Sequence, residues 1–244
     1  MLSILFWILV WHLIARKVNL SFVLPTPSEV FLRLWELLQT FSFYRTITLS
    51  FLRVAAGFGA GLIGGFFLAM LSHKIPVLRT LFEPLIAAVR AAPVASFILV
   101  VILWLERGIV PAFISFLMVL PIVWQNTLLG LDTIDADLLE MARVFRIGAV
   151  KRCWKMEFKL ILPDVLAAAK TSLGLAWKAG VAAEVLALPK VSVGMMIYNA
   201  KQYLETADLY AWTIAIVIFS VLLEKLFLKR KSKGEKGGAH ALSA

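Results

Sequence analysis

The chain has 244 residues, of which 61% are hydrophobic and 16% charged, with a mean hydropathy of +0.89 and a formal charge of +10. A water-soluble domain is nearer half apolar and a quarter charged, so the composition is that of an integral membrane protein, and its long Leu-, Ile-, Val-, Phe- and Gly-rich runs predict helices, not barrel strands. The single Cys153 excludes an intrachain disulfide and a multi-cysteine metal site, His12, His73 and His240 are too scattered for a metal cluster, and the excess Lys and Arg sets topology in such a chain where no nucleic-acid module is visible.

Six apolar segments follow in chain order, near Met1–Ala15, Ile47–Leu71, Leu81–Leu105, Ile109–Leu131, Val165–Leu188 and Tyr210–Leu228. The first has no basic region before it and no small-residue cleavage site, so it reads as a short first span and not as a signal peptide. After it, LPTPSEVFLRLWELLQTF breaks at Pro25 and Pro27, and Ser28 with Glu29 marks a helix start. Phe31, Leu34, Trp35 and Leu38 then share one face, as in an amphipathic helix lying at the outer interface. The second span carries Gly57, Gly61 and Gly65 at spacing four, with Ala56, Ala60 and Gly64 one residue earlier. Small residues at that spacing let helices approach closely, within the bundle or at a dimer seam, and packing inside the bundle is the expected use.

The longest charged stretch is DLLEMARVFRIGAVKRCWKMEFKLILP, residues 137–163. Asp137 is a candidate helix cap, with Glu140 completing a capping-box-like pair. Leu138, Met141, Ala142 and Phe145 share a face, Gly148 is the expected left-handed stop, and Pro163 closes a second helical stretch. Both this segment and the basic tail from 231 to 244, expected to be disordered, face the cytoplasm if two spans separate them. His73, Lys74 and Arg79 are then also inside, Glu106–Arg107 and residues 189–209 outside, and Arg16 and Lys17 run against the rule. A greasy, charged helical hairpin on that face fits anionic headgroups or a groove on a soluble protein.

The pattern LLEMARVFRIG followed by LILP resembles the cytoplasmic EAA loop of permease subunits in bacterial ATP-binding-cassette (ABC) importers, matching at Glu140, Ala142, Leu162 and Pro163. LPTPSEV, RAAPVASFILVVILWL and AAEVLALP are similar to the branch that carries taurine, alkanesulfonates, nitrate and thiamine precursors. Met141 replaces the family's first Ala, Arg146 stands where its Gly would be, and Leu162–Pro163 comes about one helical turn late. The resemblance implies an all-α polytopic permease domain over residues 1–230 in the bacterial inner membrane. It implies a coupling helix in which Glu140, Met141, Ala142, Arg143, Phe145 and Gly148 meet an ATPase subunit. Cytoplasmic ATP-binding subunits, an extracytoplasmic solute-binding protein and a second permease copy are the implied partners. A small organic anion of the sulfonate or taurine kind is the implied cargo, with nitrate or a thiamine-precursor pyrimidine as alternatives.

No GxxxxGK[ST] loop, GxSxG, HExxH or CxxC occurs, so the sequence predicts no catalytic residue, metal or cofactor of its own, ATP being bound by the partner. Charges within spans are costly unless they face a cavity or a partner. Asn126, Gly174, Trp177 and Lys178 are the candidates to line a path. They belong to a polar set that includes Arg90, Gln125, Lys170 and Thr171, with Glu184 near the outer end of the fifth span. Snorkelling at Arg90 and Lys170 and helix-to-helix ties at Gln125 and Asn126 are the competing structural roles. An ion-coupled secondary transporter, a membrane-embedded enzyme and the transmembrane component of an energy-coupling-factor importer remain as rival classes.

Overall fold

The computed structural model describes residues 2–229, and the tail expected to be disordered lies outside them. Among the described residues all regular structure is helical: α1 (Leu2–Val18), α2 (Pro27–Leu38), α3 (Phe41–Lys74), α4 (Pro76–Ala91), α5 (Val94–Ile102), α6 (Val110–Asp132), α7 (Ala136–Val144), α8 (Ala149–Arg152), a π-helical turn (Cys153–Glu157), α9 (Phe158–Ala187), α10 (Val193–Gln202) and α11 (Thr206–Lys229). Four helical stretches are long and apolar enough to cross a membrane: Phe41–Lys74, Val110–Asp132, Lys155–Ala187 and Thr206–Lys225. The chain is an all-α polytopic membrane protein. α1 has 17 described residues, about 25 Å of helix at 1.5 Å per residue against a hydrocarbon core of about 30 Å.

The third apolar segment is not the single helix that its hydropathy suggests. α4 and α5 meet at an angle of 102°, so the segment is a broken span or a re-entrant loop. The cause is Pro93. Its ring excludes the helical conformation at the preceding residue, and Ala92 is extended (φ −77°, ψ 142°). Pro84, Pro121 and Pro163 lie inside α4, α6 and α9 without ending them, so Pro163 does not close a helix before the fifth span as expected.

The chain divides into two compact units. One comprises the described residues up to Arg53, Ile98–Pro111, and those from Val181 onward. Its core joins Phe43, Val193, Trp212 and Ala215, with Leu34, Leu37 and Ile47 packed against them. α2 and α10 both lie on α11. Trp11 donates to the Pro25 carbonyl at 3.1 Å and stacks on Tyr210, and Thr206 Oγ1 donates to the Ser21 carbonyl at 2.6 Å. α2 is capped by Thr26, not by Ser28. Thr26 Oγ1 accepts from Glu29 N, and the Glu29 carboxylate accepts from Thr26 N at 2.8 Å, a complete capping box with Pro27 in the first turn. The face of α2 turned inward is Val30, Leu34 and Leu37, while Phe31, Trp35 and Leu38 are exposed. Arg33 ties α2 to α11 through Asp208 at 2.5 Å and also pairs with Glu36 at 2.8 Å. The Asp208 carboxylate, and after it Glu36, holds the Arg33 guanidinium above its ordinary range.

The second unit comprises Val54–Phe97 and Ala112–Gly180. Here the glycine stripe packs α3 onto α6 within the one chain, the expected use. A Cβ at Gly57 would land on the Ala112 carbonyl, at Gly61 it would lie 2.7 Å from Val119 Cβ, and at Gly65 2.7 Å from the Leu120 carbonyl. Gly59 faces open space. A second cluster, Ala69, Ile86, Trp124 and Leu128, joins α3, α4 and α6, and Trp124 Nε1 donates to Ser72 Oγ at 3.2 Å. Asp132, the last residue of α6, takes Arg79 Nη1 at 2.9 Å and lies 3.2 Å from His73 Nδ1.

The two kinds of glycine separate cleanly by mutation. Gly65→Leu forces α3 and α6 apart and is expected to cost about 3 kcal/mol or more, whereas Gly59→Leu stays within about 1 kcal/mol of the parent. Thermal unfolding of the detergent-solubilised protein compares them, and equal losses at both positions would contradict the packing described.

Candidate functional site

The segment expected to couple begins two residues earlier than its sequence suggests. Asp135, not Asp137, caps α7: its carboxylate accepts from Asp137 N at 2.9 Å, and its carbonyl accepts from Leu139 N at 3.3 Å. Asp137 then sits in the first turn, where its charge suits the helix dipole, and Glu140 is two residues beyond the capping-box position. The stop also moves. Ile147 N donates to the Ala142 carbonyl at 2.9 Å, and Arg146 between them is left-handed at φ 50°. This is a Schellman-type end with arginine where glycine is usual. Among the described residues no glycine has positive φ, so Gly148 is not the stop; Arg152 N donates to its carbonyl at the start of α8.

Of the residues expected to couple, Ala142 is fully buried at 0% exposure, so it seats α7 on its own chain. Glu140 and Met141 are exposed, and Phe145 is 72% exposed. Val144, which pattern reading passed over, is 74% exposed. The outward apolar surface is therefore Met141, Val144 and Phe145, with Leu138 beside them. Arg143 belongs to α7 by its backbone, and its side chain is outside the described positions. Beyond α8 the π-helical turn widens the spiral so that Arg152 and Glu157, five residues apart, pair at 2.9 Å, with Glu157 buried.

The residues proposed to line a path do not share a surface. On α9 the exposed side carries Thr171, Leu175 and Lys178, while Ser172, Leu173, Ala176 and Trp177 are buried, Trp177 at 2% exposure. Gly174 is half-buried between them. The buried side meets α6, where Ser115 Oγ donates to the Ala176 carbonyl at 3.2 Å. Asn126 is half-buried, and its Nδ2 donates to the Ile122 carbonyl of its own helix at 2.8 Å. Arg90 Nη1 donates to Gln125 Oε1, tying α4 to α6.

A charged node lies near the end of α9 at Glu184, which is fully buried. Ser50 Oγ donates to Glu184 Oε2 at 2.7 Å, Gly194 N donates to the same oxygen at 3.2 Å, and Arg53 Nη1 reaches Oε1 at 3.3 Å. Arg53 also donates to the carbonyls of Val191 at 3.1 Å and Lys190 at 3.0 Å, and Ser50 Oγ accepts from Val193 N at 3.0 Å. One carboxylate, one hydroxyl and one guanidinium thus fix residues 188–194, where Leu188 and Val191 are held left-handed at φ 52° and 51°. Gly194 is required by contact: a Cβ there would meet the Glu184 backbone. The legible signal was Ser50 and Arg53 three apart on one helix face.

Residues 61–227 match the sequence profile of the family described as binding-protein-dependent transport system inner membrane component. The chain belongs to this family. It is 30% identical over 243 residues to a Bacillus subtilis protein named as an aliphatic sulfonates transport permease, covering 93% of this chain and 86% of that one. It is 26% identical over 240 residues to the glycine betaine transport system permease protein OpuAB of the same organism, covering 96% and 81%. To the taurine transport system permease protein TauC of Escherichia coli it is 22% identical over 222 residues, covering 88% and 80%. The protein is an ABC importer permease, the class that its EAA-like segment resembles, and a multi-pass inner-membrane subunit of the branch that its LPTPSEV, RAAPVASFILVVILWL and AAEVLALP segments resemble.

Substitutions at two positions test the geometry of this permease. Glu184→Ala leaves Arg53 and the Gly194 amide facing a void, and is expected to cost roughly 3–5 kcal/mol and to open the Lys190 peptide to trypsin, with Glu184→Gln intermediate. Unchanged melting together with unchanged cleavage would remove the node from the account. Arg146→Gly relieves a left-handed side chain and is expected to add about 1 kcal/mol to the stability of α7, read as slower amide exchange in that helix.

Proposed function

We propose that this permease, paired with a second copy, forms the translocation path for a small organic anion of the sulfonate kind, moved by alternating access. ATP-binding subunits seat α7 and the turn that follows it in a groove on their membrane-facing side, and an extracytoplasmic binding protein delivers the solute. The observation that carries the coupling role is the outward apolar surface of α7. Val144 and Phe145 are among the most exposed large apolar residues of the chain, adjacent to a left-handed stop and flanked by the exposed Glu140. A short helix presenting such anchors is the form that enters a protein groove. In this reading Glu140 meets a charged group at the rim and Ala142 keeps the helix seated on the permease. Family membership supports the partners, and the named solutes of the sulfonate and taurine relatives support the cargo.

The proposal separates two ways of damaging the loop. Val144→Asp with Phe145→Asp is expected to abolish co-purification of the ATP-binding subunit, or to lower ATP-driven uptake by about 100-fold, while the permease keeps its melting temperature. Ala142→Trp is expected to lower the melting temperature itself, because that site faces inward. A double-aspartate variant that still binds its ATPase and still transports would end the assignment of α7 as the coupling helix.

A further inference from the structure

We infer that Arg90, at the break between α4 and α5, is the solute's anion-recognising group within the permease, an inference that rests on the proposed transport of an organic anion. A cavity of about 270 Å³ opens at this break, lined among others by Arg90, Ala92, Val94, Pro121, Ile122 and Leu175. Arg90 is the sole charged residue in that lining, the remainder being apolar. Pro121 is the midpoint of α6, so the cavity lies at the middle of a membrane-crossing helix and not at its end. A cation held at that depth costs several kcal/mol unless a polar cavity or a counter-charge receives it.

Among the described residues Arg90 has no carboxylate within ion-pair distance. Its partner is the neutral amide of Gln125, and the side chain is exposed. Four other arginines are paired with carboxylates, Arg33 with Asp208 and Glu36, Arg53 with Glu184, Arg79 with Asp132 and Arg152 with Glu157. An amide holds the guanidinium in place without cancelling its charge, which leaves the planar donor fork for an anion such as a sulfonate or carboxylate. The volume is just under the roughly 300–1,000 Å³ of sites for drug-sized ligands, and so suits a small solute. The break itself belongs to the design, since interrupted helices are how a crossing bundle places polar groups at mid-depth beside a cavity. The snorkelling expected for Arg90 from its sequence position is replaced by this lateral contact to α6.

The experiment uses the whole importer in proteoliposomes, with taurine and methanesulfonate as probes, measuring ATP-driven uptake and ATP hydrolysis together. Arg90→Gln is expected to lower uptake by about tenfold or more with hydrolysis within about twofold of the parent, and Arg90→Lys to recover part of it. Arg90→Gln importers that take up either probe at the parental rate overturn the inference while leaving the importer reading intact. A parental complex that moves neither probe overturns both. Should Arg90→Gln fail to assemble, Arg90→Cys in a Cys153→Ser background decides. The thiol is expected to react with an anionic methanethiosulfonate and to be shielded by taurine, and a thiol that is inert or unshielded overturns the inference.

Discussion

Inside hydrocarbon no water pairs with a bare peptide group, and every interruption of a helix must therefore be answered within the chain. The rest of the structure follows from how that demand is met. Where proline removes a single amide, at Pro84, Pro121 and Pro163, the helix runs through. At Pro93 the preceding residue is forced extended, the axis turns by 102°, and the apolar wall opens into a cavity. Where α9 ends and the backbone must reverse before α10, a buried carboxylate with its serine and arginine partners pairs peptide groups from Lys190 to Gly194. The cost of burying Glu184 is offset because its oxygens receive three donors from different parts of the unit.

Close packing meets the second demand of a membrane bundle, which has little hydrophobic drive between helices. Gly57, Gly61 and Gly65 let α3 lie against α6, and Gly180 leaves room on α9 for the side chains of Val54 and Ser115, where a Cβ would collide with Val54 and lie 2.8 Å from Ser115 Oγ. These contacts need the absence of a side chain at fixed spacing, so they are resistant to substitution in a way that the exposed apolar surface of the same helices is not. Leu52 and Ile63 on α3 are more than half exposed, and interchange of apolar residues there leaves the helix contacts of this chain in place.

Hydropathy located α6 and α11 to within four residues at either end, since a crossing stretch is a strong and local signal, but it began α3 and α9 six and seven residues late, where their first turns carry polar and charged side chains. It did not locate the break at Pro93, because four prolines lie in comparable apolar runs and composition does not say which one the surrounding helices will tolerate. Helical spacing identified apolar faces correctly but not what each face meets. On α2, Phe31 and Trp35 share the predicted stripe with Leu34, yet only Leu34 turns inward, because Val30 and Leu37 complete a second stripe that contacts Phe43 and Trp212. On α7 the expected stripe of Leu138, Met141, Ala142 and Phe145 divides in the same way, Ala142 being buried while Val144 lies exposed with the other three. Both caps lie two residues before the expected ones: Thr26 and Asp135 outcompete Ser28 and Asp137 because each precedes its helix with an extended backbone or an amide within reach. The stop at Arg146 was unreadable for a different reason, as arginine is a poor left-handed residue and Gly148 nearby was the natural candidate.

That stop bears on what α7 can do. A nine-residue helix does not hold its shape alone in water, where nucleation dominates at such lengths. Its persistence depends on the Asp135 cap at one end, the Ile147–Ala142 hydrogen bond at the other, and the burial of Ala142 between them. The outward side contributes nothing to this, since Val144 and Phe145 touch little of their own chain. The helix is thus stabilised from behind and at its ends, and its front face is not needed to hold it. A left-handed arginine at the stop adds a modest strain that glycine would remove, and it places a charged side chain at the end of that front face. In the proposed coupling role, a face unneeded for folding leaves Met141, Val144 and Phe145 to be set by the groove of the ATP-binding subunit and not by the packing of α7.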